Sequence, residues 1–220
     1  MGGLLSLLYL GTSEDKNIRN LVTIASPIDA HSASPAVKVL SKVSSPLGRL
    51  SNLTKVTLEK LDDDLFHLSG DFLSFGFKMT NPIGSVTSYL DLFKNLNNRE
   101  YVAQYATVNR WFNEMVDYPG ATVRDMITQM GLSNGLAKGL FKIADTNADL
   151  SKIDSNLLAF AGDNDKIVSI EAAKEILEVT SSKDRTFAVV PGGHAGVFAG
   201  KHASDHTWTI SEAWLAQRSA

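Results

Sequence analysis

Asp165 and His194 are the side chains in this chain best placed to move a proton. Each follows a short apolar run that ends in a glycine-containing turn. Asn156-Leu157-Leu158-Ala159-Phe160-Ala161 leads into Gly162-Asp163-Asn164-Asp165-Lys166-Ile167-Val168, and the run from Arg185 to Val190 leads into Pro191-Gly192-Gly193-His194-Ala195-Gly196. Such apolar residues suit the pleated interior of a sheet; proline closes a ladder and glycine allows close approaches. If the two runs are neighbouring parallel strands, both turns emerge on one carboxyl rim, where open parallel sheets gather their reactive groups. An ionised aspartate beside a histidine fixes its tautomer and stabilises the imidazolium that forms when it takes a proton. This is the histidine and acid part of a nucleophile, histidine, acid triad. Asp163 and Asp29 compete for the acid role, the first expected to bond within its own turn, the second lying past another apolar run on the same rim. Asp165 is preferred because Gly162-x-x-Asp165-x-Ile167-Val168 turns the chain, projects the carboxylate and returns to the core.

The elements that must position these residues follow from hydrophobic patterning. Leu4 to Leu10 is apolar nearly all round and reads as a fully buried helix. Leu21-Val22-Thr23-Ile24-Ala25, stopped by Ser26-Pro27, reads as a buried strand. From Asp29 to Asp145 the strand and helix rhythm is lost, and residues 30–145 read as a helical cap insertion with turns at Ser44 to Gly48 and Asn81 to Gly84 and helices near 56–65, 86–93, 100–116 and 121–130. The rhythm returns at Asn156, with a helix from Ser169 to Val179 capped by Ser169 and a closing helix from Asp205 to Arg218. The expected class is therefore α/β, a mostly parallel sheet of at least three strands in a single domain.

Composition excludes several functions. The 220 residues carry a net charge of -3, so no basic face marks a nucleic-acid binder. With no cysteine, the chain contains neither a disulfide nor a thiol nucleophile of its own. No stretch is long and apolar enough for a transmembrane helix, and the start lacks the positive region of a secretory signal, although Gly2 and Ser6 match a short myristoylation pattern. His202 and His206 lie one helical turn apart without the glutamate or third ligand of a zinc motif and read as surface residues. His31 and His67 have no evident partner in the sequence. Asp62 to Asp64 reads as a solvated helix face rather than a metal site, and Trp111, Trp208 and Trp214 are expected in the core.

The acid and histidine segments together resemble those of α/β hydrolases, specifically the polyhydroxyalkanoate synthases. Asn20 to Asp29 resembles that family's strand ending in a Pro-x-Asp turn, Arg110-Trp111 with Asp117 and Pro119 its tryptophan segment, and Asn134 to Ile153 the stretch entering its acid strand. In those enzymes the nucleophile sits in Gly-x-Cys-x-Gly-Gly, so Met1-Gly2-Gly3 is similar to the x-Gly-Gly that follows the cysteine. The resemblance implies the C-terminal portion of a partial, N-terminally incomplete α/β hydrolase fold, with Met1, Gly2 and Gly3 at the nucleophile elbow and the Met1 N–H as an oxyanion donor. It implies an acyltransferase that polymerises 3-hydroxyacyl coenzyme A through a Cys-His-Asp triad whose cysteine lies upstream, with the thioester as substrate and no cofactor. It also implies a cytoplasmic setting at polyester granules and a homo-oligomer or partner subunit. A serine esterase or depolymerase of the same fold, and a non-catalytic protein that binds an acyl or polymer surface, are the alternatives; a serine or a cysteine before Met1 separates the first two. By itself the chain is expected to be hydrolytically inert.

Overall fold

Parallel pairing of three short apolar runs builds the sheet. In the computed structural model, which describes residues 2–13, 15–32, 57–80 and 82–219, β1 (Asn20–Ile24), β4 (Asn156–Gly162) and β5 (Arg185–Val190) pair in the order β1-β4-β5. Leu21 lies opposite Leu157, and Gly162 lies opposite Val190. The middle strand is buried from Leu157 through Gly162, as expected of a parallel strand covered on both faces. Because the strands run the same way, Ile24, Gly162 and Val190 end on one rim.

Contacts divide the chain into two compact units, Met1–Val56 with Ile127–Ala220, and Thr57–Met126. The first contains the sheet. Its opening helix α1 (Gly2–Thr12) buries the stripe Leu4, Leu7 and Leu10, which the three-residue spacing puts on one side. The helix is not fully buried as its composition predicts. Leu5 and Tyr9 are 59% and 49% exposed, and they border a shallow groove shared with Ile18 and Leu21. Against α1 packs a hairpin that the sequence pattern does not signal, β2 (Leu140–Ile143) with β3 (Thr146–Asp149). Its turn holds Ala144 at φ 48, a left-handed conformation that alanine seldom adopts.

After β4 the chain forms two short helices, at Ile170–Lys174 and Ile176–Val179, where the sequence suggests one. Ser169 caps the first by accepting the Ala172 N–H at 3.0 Å. The closing segment is a short α-helix (Gly196–Ala199), a π-helical turn (Ser204–Trp208) and the final helix (Thr209–Ala216). Trp214 is buried with Leu158, Phe160, Val190 and Val197. The Arg218 guanidinium lies 4.1 Å from the centre of the Trp214 ring and pairs with both carboxylate oxygens of Asp184 at 2.7 and 2.9 Å. Trp111 and Trp208 do not join the core, being 61% and 52% exposed.

In the second unit, α-helices span Gly70–Thr80, Pro82–Lys94, Arg99–Asn113 and Gly120–Asp125. Asn98 caps the third by accepting the Tyr101 N–H at 3.1 Å. Asp117 accepts the Gly70 N–H at 2.8 Å, and Leu68 bridges to Tyr118. The acidic run forms a 3-10 turn in which Asp62 caps and Asp63 pairs with Arg124. The expected turn at Ser44 to Gly48, Asn81 and the remainder of 33–56 lie outside the described residues. Among the described residues no helix is long and apolar enough to cross a membrane.

Candidate active site

The acid turn is shaped around one carboxylate. Oδ1 of Asp165 accepts the backbone N–H groups of Ile167 at 2.8 Å and Val168 at 3.0 Å, which closes the turn locally. Val168, 1% exposed, then anchors the chain among Ala161, Ala172 and Ala173. This return to the core holds Oδ2 in place. It lies 2.9 Å from Nδ1 of His194, with the Asp165 side chain 0% and the His194 side chain 28% exposed. A carboxylate in that position selects the tautomer with the proton on Nδ1 and so makes Nε2 the basic nitrogen.

Asp163 behaves differently from the expectation of a bond inside its own turn. Its Oδ1 accepts the Gly192 N–H at 2.9 Å and ties the acid turn to the histidine turn. The two turns also touch directly. A Cβ on Gly162 would lie 2.4 Å from the Gly192 oxygen and 2.7 Å from Val197 Cγ2, and Gly192 itself has φ 139, so both positions require glycine. The close approach that glycine allows is used here for contact between the two turns.

Asp29 is held by its own loop and one distant residue. Its carboxylate accepts the Ser32 hydroxyl at 2.6 Å, the Asn134 side-chain amide at 2.8 Å and the His31 N–H at 3.0 Å. Burial pushes its carboxyl up, but these bonds outweigh burial and leave it below the ordinary value of 3.8. Asn134, at φ 48, also accepts the Ala30 N–H at 3.0 Å. The only sequence signal for this clamp was Ser133-Asn134-Gly135 as a turn. His31 Nε2 is 2.7 Å from the Gly131 oxygen, and His67 Nε2 is 3.4 Å from Asp117 Oδ2, so both have partners the sequence did not reveal. The rings of His202 and His206 are 6.3 Å apart.

The expected elbow residues open α1. Gly3 packs where a Cβ would lie 2.0 Å from Ser26 Oγ, directly after β1, whereas Gly2 has nothing within 4 Å of its Cβ position. Met1 lies outside the described residues. The structure therefore brings Asp165 and His194 together and places Gly3 at the carboxyl end of the neighbouring strand.

The family model Hydrolase_4, described as serine aminopeptidase, S33, matches residues 1–198. The chain belongs to this family. Its fold is the α/β hydrolase fold, and the parallel sheet with flanking helices is this Hydrolase_4 chain's share of it. Within that fold the chain is similar to three proteins named poly(3-hydroxyalkanoate) polymerase subunit PhaC. Identity is 24% to that of Haloferax mediterranei over 100% of this chain and 42% of the relative. It is 28% to that of Allochromatium vinosum and 26% to that of Thiocystis violacea, each over 99% of this chain and 58% of the relative. The chain spans about half the length of the curated relatives it matches. A monoacylglycerol lipase from Paleococcus ferrophilus aligns at a TM-score of 0.48 with 18% identity, over 98% of this chain and 65% of the lipase. The Hydrolase_4 match shows the family, and the polymerase subunits are named relatives that the chain resembles within it.

Proposed function

We propose that this chain supplies the base and the acid of an acyltransferase that polymerises 3-hydroxyacyl coenzyme A. The observation that carries the reading is the 2.9 Å contact between His194 Nδ1 and the buried Asp165 carboxylate. In this reading the nucleophile is a cysteine supplied from outside residues 1–220, as the resemblance to polyhydroxyalkanoate synthases implies. His194 Nε2 takes the thiol proton, and the thiolate adds to the thioester carbonyl. Coenzyme A leaves as its thiol with the proton returned by His194, and the acyl group remains on the cysteine. The 3-hydroxyl of a growing chain, deprotonated by the same imidazole, then takes the acyl group as an ester and releases the cysteine. Backbone N–H groups at the elbow, with Met1 among them and Gly2 and Gly3 giving room for the turn, stabilise the oxyanion of both steps. No cofactor enters the reaction.

In this reading the working protein sits at the surface of its polyester product in the cytoplasm. The outer edge of β1, which pairs with β4 among the described residues, supports a role as the docking edge for the strand that carries the nucleophile. An apolar strand edge is a template for pairing, so the chain by itself is expected to self-associate in size-exclusion chromatography. A clean monomer would count against this edge as an interface.

The deciding assay joins residues 1–220 to an upstream segment ending in Gly-x-Cys and follows thiol release from 3-hydroxybutyryl coenzyme A. Turnover is expected, with Asp165→Asn reducing it by about 10³- to 10⁴-fold and His194→Ala by at least as much. Full rates in either variant overturn the reading. So does a Gly-x-Ser segment that hydrolyses simple esters while the Gly-x-Cys protein fails to release coenzyme A.

A further inference from the structure

The turn that carries His194 is too short to hold itself. The helix after it has four residues, Gly196–Ala199, far below the length at which a helix is stable without tertiary support. Val197 is its anchor. The Val197 N–H donates to the Gly193 oxygen at 2.9 Å, closing the turn around His194. Its side chain, 0% exposed, packs with Leu158, Phe160, Val190 and Trp214. Its carbonyl, one of those that a helix end leaves without an intrahelical partner, accepts the Thr207 hydroxyl at 2.6 Å. The next carbonyl, that of Phe198, accepts the Trp208 indole N–H at 2.9 Å.

Thr207 and Trp208 are consecutive, and both lie on the π-helical turn Ser204–Trp208, in which the Trp208 N–H reaches back to the Ala203 oxygen at 3.0 Å. Single π turns are rare and concentrate at functional sites. Thr207 is 1% exposed, so removing its hydroxyl strips a buried carbonyl of its donor. A chain of short contacts thus runs from Thr207 through Val197 to the Gly193 end of the turn. His194, whose Nδ1 meets Asp165 at 2.9 Å, rides on that turn.

We infer that Thr207, with Trp208 beside it, is a positioning residue that sets the presentation of His194 to Asp165. The inference rests on the reading of His194 as the base. A purely structural threonine would change the melting temperature when altered and leave the imidazole as it was. The test is nitrogen-15 NMR of histidine-labelled chain, which reads the ring tautomer and the low-field proton on His194 Nδ1, assigned with His194→Gln.

The wild-type chain is expected to show that proton, and Asp165→Asn to lose it. Thr207→Val, which keeps the shape without the hydroxyl, is expected to lose it or to broaden it by exchange with water, whereas Thr207→Ser retains it. Trp208→Phe, at a position 52% exposed, removes one N–H from a residue the core does not need and is expected to broaden the signal several-fold less. If Thr207→Val unfolds, Trp208→Phe decides, and an unchanged resonance there overturns the inference. In a folded Thr207→Val chain, a resonance at the wild-type position overturns it as well. A wild-type chain without the resonance, or one that Asp165→Asn leaves intact, defeats the base and acid pairing itself and the inference with it.

Discussion

The sheet unit and the helical unit spend similar sequence on different ends. In the sheet unit, Leu157, Leu158, Phe160, Val190 and Val197 are at most 2% exposed. In the helical unit, Phe72, Phe75, Phe93 and Trp111 are each between 61% and 71% exposed, and the helix Arg99–Asn113 has no buried residue. Parallel strands stack consecutive apolar residues on both faces, whereas these helices leave large apolar side chains uncovered. Polar bonds at their ends and surfaces tie the helices: the Asn98 cap, the Asp117 bond to Gly70, and Arg110 with Glu114 at 2.9 Å. Exposed pairs of that last kind contribute little. Stability and the Asp165–His194 pair therefore reside in the same unit, and the helical unit carries an apolar surface instead.

The largest effect that tests this contrast is a pair of truncations. Phe160→Ala is expected to cost about 3–5 kcal/mol, while Phe93→Ala, at a site 71% exposed, should stay within about 0.5 kcal/mol. Urea unfolding of both variants measures the difference. Comparable losses would show that the helical unit has a core of its own.

Glycine gives a contrast in sign. Gly162→Ala forces a methyl against the Gly192 oxygen and Val197, and overpacking of this kind costs about 1–3 kcal/mol. Gly76, in the helix Gly70–Thr80, has nothing within 4 Å of its Cβ position. Gly76→Ala should therefore stabilise the chain by about 0.4–1 kcal/mol, because alanine restricts the unfolded chain and favours helix. A loss at Gly76 would mean that its face is covered.

The same physical difference governs what the sequence discloses. The juxtaposition of Asp165 and His194 is legible because adjacent parallel strands deliver the residues after their ends to one rim, a consequence of topology rather than of local detail. The class of the fold is legible for the same reason. The hairpin Leu140–Asp149 is not, because Phe141 and Ala148 are its buried members and Thr146-Asn147-Ala148-Asp149 has no strand signature. The exposure of Leu5, Tyr9 and Trp208 escaped as well, since apolar character reports what a residue prefers and not what is available to cover it. Long-range side-chain bonds, such as Asp163 to Gly192 and Asn134 to Asp29, leave no local pattern.

The smallest expected effects come from charge inside the sheet unit, where Asp29 and Glu175 act in opposite directions. The Asp29 carboxyl is depressed below 3.8, so its ionised form favours the folded state. That contribution is complete above pH 3.8 and is lost as pH falls through the lower folded value. Asp29→Asn should cost about 1 kcal/mol at neutral pH and nothing once both proteins are below that value. Glu175 is shifted the other way, raised above 4.5 by burial first and then by the charges of Asp29 and Glu178. Its folded state favours the proton, so its relative stability is complete below pH 4.5 and is lost as pH rises through the raised folded value. Glu175→Gln is therefore expected to stabilise the chain at neutral pH, by about 0.5 kcal/mol or less for a partly exposed group, with the gain vanishing below pH 4.5. Urea midpoints measured across pH 3 to 7 for both variants read the two slopes. If the Glu175→Gln gain persists in an Asp29→Asn background, the repulsion between these carboxylates is not its source, and burial with the Glu178 charge accounts for the shift.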